Sequence, residues 1–79
     1  MEEVFPDKKQ LIELLEFKMP FGKYKGWIIM DLPEHYLVWF RQKGFPQGKL
    51  GELMHLAYEI RLNGLEGMVK SLKGKLNGI

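Results

Sequence analysis

The chain has 79 residues with a formal net charge of +2, and 46% of them are hydrophobic, so we expect one dense core in a domain near the lower size limit. It contains no cysteine, which excludes disulfide bonds and thiolate metal ligands. The acidic start MEEVFPDKK lacks the pattern of a secretory signal, and no apolar run approaches the roughly 18 residues of a membrane span; we therefore expect a cytoplasmic protein with no membrane partner.

The first predicted element is a helix from Lys8 to Phe17. Asp7 and Gln10 have the spacing of a capping box, and the leucines that follow recur at helical intervals. Pro20 favours an extended residue before it, so we expect the helix to end before this point.

A short β-hairpin is expected next. Met19–Phe21 and Trp27–Met30 are predicted as two short strands, joined through the glycine-framed loop Gly22–Gly26, because the glycines permit a sharp turn. Two strands alone are only marginally stable in water, so they must pack on helices.

The second predicted helix runs from Leu32 to Lys43. Asp31 and Glu34 form a second capping-box pattern at its start, and Gly44 suits the left-handed position after its end. Its inner face is predicted to be strongly aromatic, with Tyr36, Trp39 and Phe40.

Two further helices are predicted in the remaining sequence. The third begins near Lys49 and closes at Asn63–Gly64, a pair that tolerates left-handed geometry, and a short fourth helix spans Leu65–Lys73. The resulting fold class is α+β, with three to four helices packed around a short two-stranded β-hairpin. We expect one compact domain over residues 1–79, with flexible ends at residues 1–6 and 74–79.

The loop GKYKG is the strongest candidate for function. Lys23 and Lys25 could donate to phosphates while Tyr24 or Trp27 stacks on a base, which is the combination that single-stranded nucleic-acid sites use. Residues 18–49 carry six basic residues against two acidic ones, so positive charge gathers around this loop. The other interpretation is a tight turn whose lysines only keep a sheet edge soluble.

A second glycine turn, at residues 44–49, supports the binding hypothesis. Lys49 and the amides at the start of the third helix could form another anion site. The predicted nucleic-acid-binding residues are therefore Gly22, Lys23, Tyr24, Lys25, Gly26, Trp27, Arg41, Lys43 and Lys49. The residues leave open whether the partner is single-stranded or duplex nucleic acid.

Signals for catalysis are weak. Ser71 is the only serine, and threonine and cysteine are absent, so no nucleophile stands out. Glu52, His55 and Glu59 have a metal-site spacing, but a helical carboxylate site needs a second such motif, and a solvated helix face is the better interpretation. We expect no enzyme activity, no cofactor and no metal. The alternative function is a protein-interaction or self-association module, including a homodimer, that uses an exposed aromatic and methionine surface.

Four sequence blocks carry a resemblance to a known family. They are MPFGKYKG at 19–26, the D-L-P-x-x-Y-L-x-W-F pattern at 31–40, K-G-F-P-x-G-K-L-G at 43–51 and E-I-x-x-N-G-L at 59–65. They resemble a small bacterial family of unknown function labelled "putative quorum-sensing-regulated virulence factor". The resemblance covers most of the chain, and its label implies no particular chemistry.

The first two blocks also resemble the small C-terminal module of exodeoxyribonuclease X-like proteins. That resemblance implies an accessory module near nucleic acid, with the loop Gly22–Gly26 as the part that carries over. This sequence has no nuclease domain with acidic metal-binding motifs, so exonuclease activity is not implied.

Overall fold

The computed structural model describes the backbone of residues 8–77 and the side chains as far as residue 72. This part of the chain contains four α-helices, and a single turn of 3-10 helix at Ile29–Asp31 separates the first two. The helices are α1 (Lys8–Glu16), α2 (Glu34–Lys43), α3 (Gly48–Leu62) and α4 (Glu66–Asn77). The predicted cap at Asp7 and the expected flexible end at residues 1–6 lie outside the described residues.

The predicted α+β fold is wrong, because the described residues 8–77 form an all-helical domain without a β-strand. The segments predicted as strands, Met19–Phe21 and Trp27–Met30, are joined by irregular backbone instead. One antiparallel bridge between Lys18 and Ile28 is all that forms of the expected hairpin.

The ends of this bridge explain why it does not grow into a ladder. Met19 donates to the Trp27 carbonyl oxygen at 2.7 Å, and Gly26 donates to the Met19 carbonyl oxygen at 2.7 Å. The Trp27 amide donates to the Tyr24 carbonyl oxygen at 3.0 Å within the loop, so it does not return the bond to Met19 and the pairing stops there. In the other direction the 3-10 helix already begins at Ile29, so no residue is left to extend a strand.

Helix α3 lies at the centre of the fold and contacts the other three helices and the 3-10 turn. Its buried positions recur at helical spacing and include Leu53, Met54, Ala57 and Ile60, as the sequence predicts. The buried core of the described residues consists of Leu14, Leu15, Met19, Tyr24, Ile29, Met30, Leu32, Leu37, Leu53, Met54, Ala57, Ile60 and Val69.

The end of α3 forms where the sequence predicts it, at Asn63–Gly64. Gly64 has a φ of 70°, and its amide donates to the Arg61 carbonyl oxygen at 3.0 Å. The Leu65 amide donates to the Ile60 carbonyl oxygen at 2.9 Å. This pair of hydrogen bonds is the Schellman arrangement, which satisfies carbonyl groups at a helix end and turns the chain towards α4.

The start of α2 differs from the predicted capping box. Pro33, with extended backbone, is the residue before the helix, and no side chain caps the helix start. Asp31 belongs to the 3-10 turn, and its carboxylate lies 3.4 Å from Lys70 Nζ of α4. The acidic residue that the pattern assigned to a local cap therefore makes a contact between distant segments.

Helix α4 continues to Asn77, four residues beyond the predicted end at Lys73. Within the described part of the chain, none of the helices combines the length and apolar character that crossing a membrane requires.

Candidate nucleic-acid interface

Tyr24, at the centre of the glycine-framed loop, points into the protein. Its side chain is 9% exposed, and its ring contacts Trp27 and Tyr36 edge to face, with centroids 4.9 and 4.7 Å apart. This geometry suits aromatic pairs. Because the ring is enclosed in the core, Tyr24 supports the loop and cannot serve as a platform for a base.

Gly22 is required where the loop passes over α2. Its φ is 81°, and a Cβ placed there would lie 3.0 Å from the Tyr36 hydroxyl oxygen. A side chain at this position would therefore strain the backbone and crowd α2. Glycine is needed at position 22 because the loop packs on Tyr36 here. The other framing glycine, Gly26, also has a positive φ, of 90°.

The lysines on either side of Tyr24 are exposed. Lys23 Nζ lies 5.6 Å from the centroid of the Tyr24 ring, within the range of a cation–π contact. Lys25 donates its amide hydrogen to the Gly22 carbonyl oxygen at 3.2 Å, which fixes the backbone of the turn. The loop therefore presents two exposed lysine side chains, and a backbone hydrogen bond fixes the turn that carries them.

Helix α2 presents a row of polar and aromatic side chains. His35, Trp39 and Lys43 are exposed and succeed one another at intervals of four residues, so they share one helix face. Trp39 is 51% exposed, whereas Leu37 is fully buried. The aromatic inner face predicted for this helix is therefore only partly correct, because Leu37 takes the buried position and Trp39 faces solvent.

A continuous series of aromatic contacts joins the loop to this helix. From Tyr36 it passes to Phe40 at 5.1 Å and from Phe40 to Trp39 at 5.0 Å between ring centroids. At the loop end of the series, Trp27 is 46% exposed. Two exposed indoles on separate segments are thus held by buried and half-buried rings between them.

We call the resulting exposed region the Trp27–Trp39 surface. A recess of about 350 Å³ lies within it, lined by Lys23, Tyr24, His35, Tyr36 and Trp39. The surface itself is defined by the exposed residues Lys23, Lys25, Trp27, His35, Trp39 and Lys43. His35 and Trp39 were not among the predicted binding residues, and the four-residue spacing from His35 to Lys43 was the signal that could have found them.

The Tyr36 phenol in the recess is a weaker acid than a free tyrosine. Burial raises the pKa of Tyr36 above its ordinary value of 10.0, and the nearby Tyr24 adds to this effect. Tyr24 Oη lies 3.5 Å from His35 Nε2, a long contact that is weak as a hydrogen bond. At neutral pH the recess therefore contains the neutral phenol of Tyr36.

Two predicted binding residues lie apart from the Trp27–Trp39 surface. Lys49 Nζ donates to Glu13 Oε1 of α1 at 3.1 Å, so its charge is offset by a carboxylate. The Arg41 guanidinium lies 5.9 Å from the centroid of the Tyr58 ring on α3. The structure thus places Lys43 on the exposed face of α2 that carries Trp39, and directs Arg41 and Lys49 towards other helices.

No metal site is built from the described residues: they contain no cluster of three His, Cys, Asp or Glu side chains able to hold an ion. His55 Nε2 lies 3.5 Å from Glu59 Oε2 on the same face of α3, and both side chains are about half exposed.

Sequence comparison assigns the chain to a family. The profile of the family described as "Putative quorum-sensing-regulated virulence factor" matches residues 7–72. The chain belongs to this family. It is 54% identical over 71 residues to the "Uncharacterized protein YpeB" of Escherichia coli strain K12, covering 89% of this chain and 99% of that protein. The YpeB protein of Escherichia coli O157:H7 matches with the same identity and coverage, and no solved structure matches.

The family match confirms the resemblance recognised in the four sequence blocks. The resemblance to the module of exodeoxyribonuclease X-like proteins is not shown by these relatives, whose descriptions name no nuclease. Neither the family description nor the relatives' names state a biochemical activity, so a function has to be argued from the Trp27–Trp39 surface itself.

Proposed function

We propose that this family member is a non-enzymatic module that binds single-stranded nucleic acid through the Trp27–Trp39 surface. One observation carries the proposal: two half-exposed indoles, Trp27 and Trp39, are joined by a series of aromatic contacts, and Lys23 lines the same recess as Trp39. Single-strand sites combine aromatic platforms for bases with cations along the backbone.

The arrangement favours a single strand over a duplex. Indole rings bind the flat face of a base, and that face is accessible only when the base is unstacked from its neighbours. A duplex is read instead by an element that enters a groove and contacts base edges. Trp27 lies in a loop, and Trp39 lies on a helix that packs on α3. The surface therefore offers indole rings for stacking but no helix that would enter a groove of a duplex.

The lysines of the surface set the expected salt dependence. If Lys23, Lys25 and Lys43 each contact one phosphate, the slope of log K against log salt is about −2, from roughly −0.7 per contact with a single strand. Three contacts give weak binding that salt readily reverses. Stacking on a tryptophan adds about 1–3 kcal/mol per base without requiring a particular sequence.

The test is fluorescence anisotropy with a labelled oligo-dT strand, a duplex of the same length and a single-stranded RNA, each across a salt series. Replacing both loop lysines (Lys23→Ala with Lys25→Ala) should make the slope shallower by about 1.4. The matched control replaces the exposed α1 pair, Lys8→Ala with Lys9→Ala. It removes the same net charge from a helix outside the surface, so it should change the slope much less.

The stacking contribution is tested separately with Trp39→Ala. Half of this side chain is already in solvent, so the variant should remain folded while affinity for oligo-dT falls by roughly 5- to 150-fold. The proposal fails if the duplex binds more tightly than the single strand, or if Trp39→Ala leaves affinity unchanged. Equal effects of the two double-lysine variants would also count against it, since they would show that only net charge matters.

A further inference from the structure

A second surface feature is an apolar groove between α1, α3 and α4. Its volume is about 430 Å³, within the range of sites that take a ligand or a small group of side chains. None of its lining residues belongs to the Trp27–Trp39 surface. The apolar side chains that line it include Leu11, Leu56, Ile60, Leu65, Met68 and Leu72.

The polar edge of the groove is acidic. Glu52 and Glu59 of α3 line it together with His55 and two uncharged amides, Gln10 and Asn63. Among the described residues that form this lining, neither lysine nor arginine is present. The groove therefore has an apolar floor and carboxylates at its margin, on a chain whose overall charge is positive.

We propose that this groove docks the apolar face of a basic amphipathic helix supplied by a protein partner. Such helices bind through apolar anchors at positions i, i+3, i+4 and i+7 that enter a hydrophobic groove. Lysine or arginine residues beside those anchors would face Glu52 and Glu59, which gives charge complementarity. Met68, 49% exposed, can adapt its shape to different anchors.

The acidic margin argues against other occupants. In a symmetric dimer that buries this groove, the margin of one copy would lie near the same margin of the other, and like charges would repel. An anionic lipid surface would be repelled for the same reason.

The probe is a synthetic amphipathic peptide with leucines at i, i+3, i+4 and i+7 and lysines beside them, added to the full ¹⁵N-labelled chain. The matched peptide carries glutamates in place of the lysines. We expect the lysine peptide to shift the amide signals of the groove, such as those of Leu56, Ile60 and Met68. The glutamate peptide should bind roughly tenfold more weakly.

Variants separate the apolar and charged contributions. Met68→Lys places a cation in the groove at an already exposed position, so it should abolish binding of the lysine peptide without unfolding the protein. Leu62→Lys is the control, because Leu62 is 65% exposed and lies outside the groove lining. Glu52→Gln with Glu59→Gln should remove most of the preference for the lysine peptide while its apolar docking continues.

Several results would overturn the proposal. They are equal binding of the two peptides, binding unaffected by Met68→Lys, and the absence of groove shifts at millimolar lysine peptide. Groove signals that shift with protein concentration alone would assign the site to a second copy of the chain. Each outcome is independent of the nucleic-acid proposal, since the groove and the Trp27–Trp39 surface share no residue.

Discussion

Replacing Gly51 with alanine tests how tightly the turn between α2 and α3 packs. Gly51 is buried within α3, and a Cβ built there would overlap the Pro46 carbonyl oxygen. Alanine in a helix interior normally stabilises a protein by about 0.5–1 kcal/mol relative to glycine. Here the added methyl group meets backbone, which cannot rotate away as a side chain can, so α3 or the turn has to move.

The overlap should outweigh the gain in helix propensity. Forcing an extra carbon into packed surroundings costs about 1–3 kcal/mol, and overlap with a backbone atom lies at the upper end of that range. After the propensity gain is subtracted, Gly51→Ala should lose roughly 2 kcal/mol. A chain of 79 residues has a free energy of unfolding of about 4–12 kcal/mol. The variant should therefore fold, with a clearly lower stability.

Gly67→Ala is the matched control because it makes the same chemical change in α4. Among the described residues, no heavy atom other than those of the adjoining residues and the helix's own backbone lies within 4 Å of a Cβ built at Gly67, so only the propensity gain remains, at most about 1 kcal/mol. Urea denaturation followed by circular dichroism should move the midpoint down for Gly51→Ala and up, or not at all, for Gly67→Ala. A Gly51→Ala protein as stable as the original chain would refute the close approach to Pro46.

Four further substitutions, at three positions, test the aromatic support and the ion pair between Lys49 and Glu13. Tyr24→Ala should lower the free energy of unfolding by about 3–5 kcal/mol, as for other buried aromatic residues. Tyr24→Phe should lower it by less than about 1 kcal/mol. If the two variants had similar urea midpoints, the ring would not be buried. Tyr36→Phe should gain stability relative to the original chain as the pH rises beyond 10.0. The raised pKa means that the folded state favours the protonated phenol, so stability is lost as that phenol ionises; a pH-independent difference in thermal midpoint would contradict this. Lys49→Ala should lower the free energy of unfolding by less than about 1 kcal/mol, because the ion pair between Lys49 and Glu13 is exposed. A larger decrease in a urea titration would show that this ion pair contributes more to stability.

The helices could be predicted because their signals are local. The end of α3 depends on Asn63 and Gly64, whose backbone preferences act within a few residues, and the structure has the helix end there. The end of α2 at Lys43 likewise agrees with the sequence. Positions of this kind need no knowledge of which segments later pack together.

The hairpin and the face of α2 could not be predicted because they depend on distant contacts. Short apolar runs such as Trp27–Met30 suit a strand or a buried turn equally well. In the structure, Ile29 and Met30 lie in a 3-10 turn and are buried in the core. On α2, neighbouring residues Trp39 and Phe40 lie about 100° apart around the helix, so the sequence does not decide which of them faces outward.

The glycine-framed loop shows how packing and presentation can share one motif. Tyr24 is buried between Trp27 and Tyr36, and Gly22 leaves the space that the Tyr36 hydroxyl needs. Because Tyr24 turns inward, Lys23 and Lys25 on either side remain exposed, as they must if the loop is to contact phosphates. If the loop binds nucleic acid as proposed, the tyrosine contributes by holding the lysines in place, and Tyr24→Phe, which keeps the ring, should retain the affinity for oligo-dT.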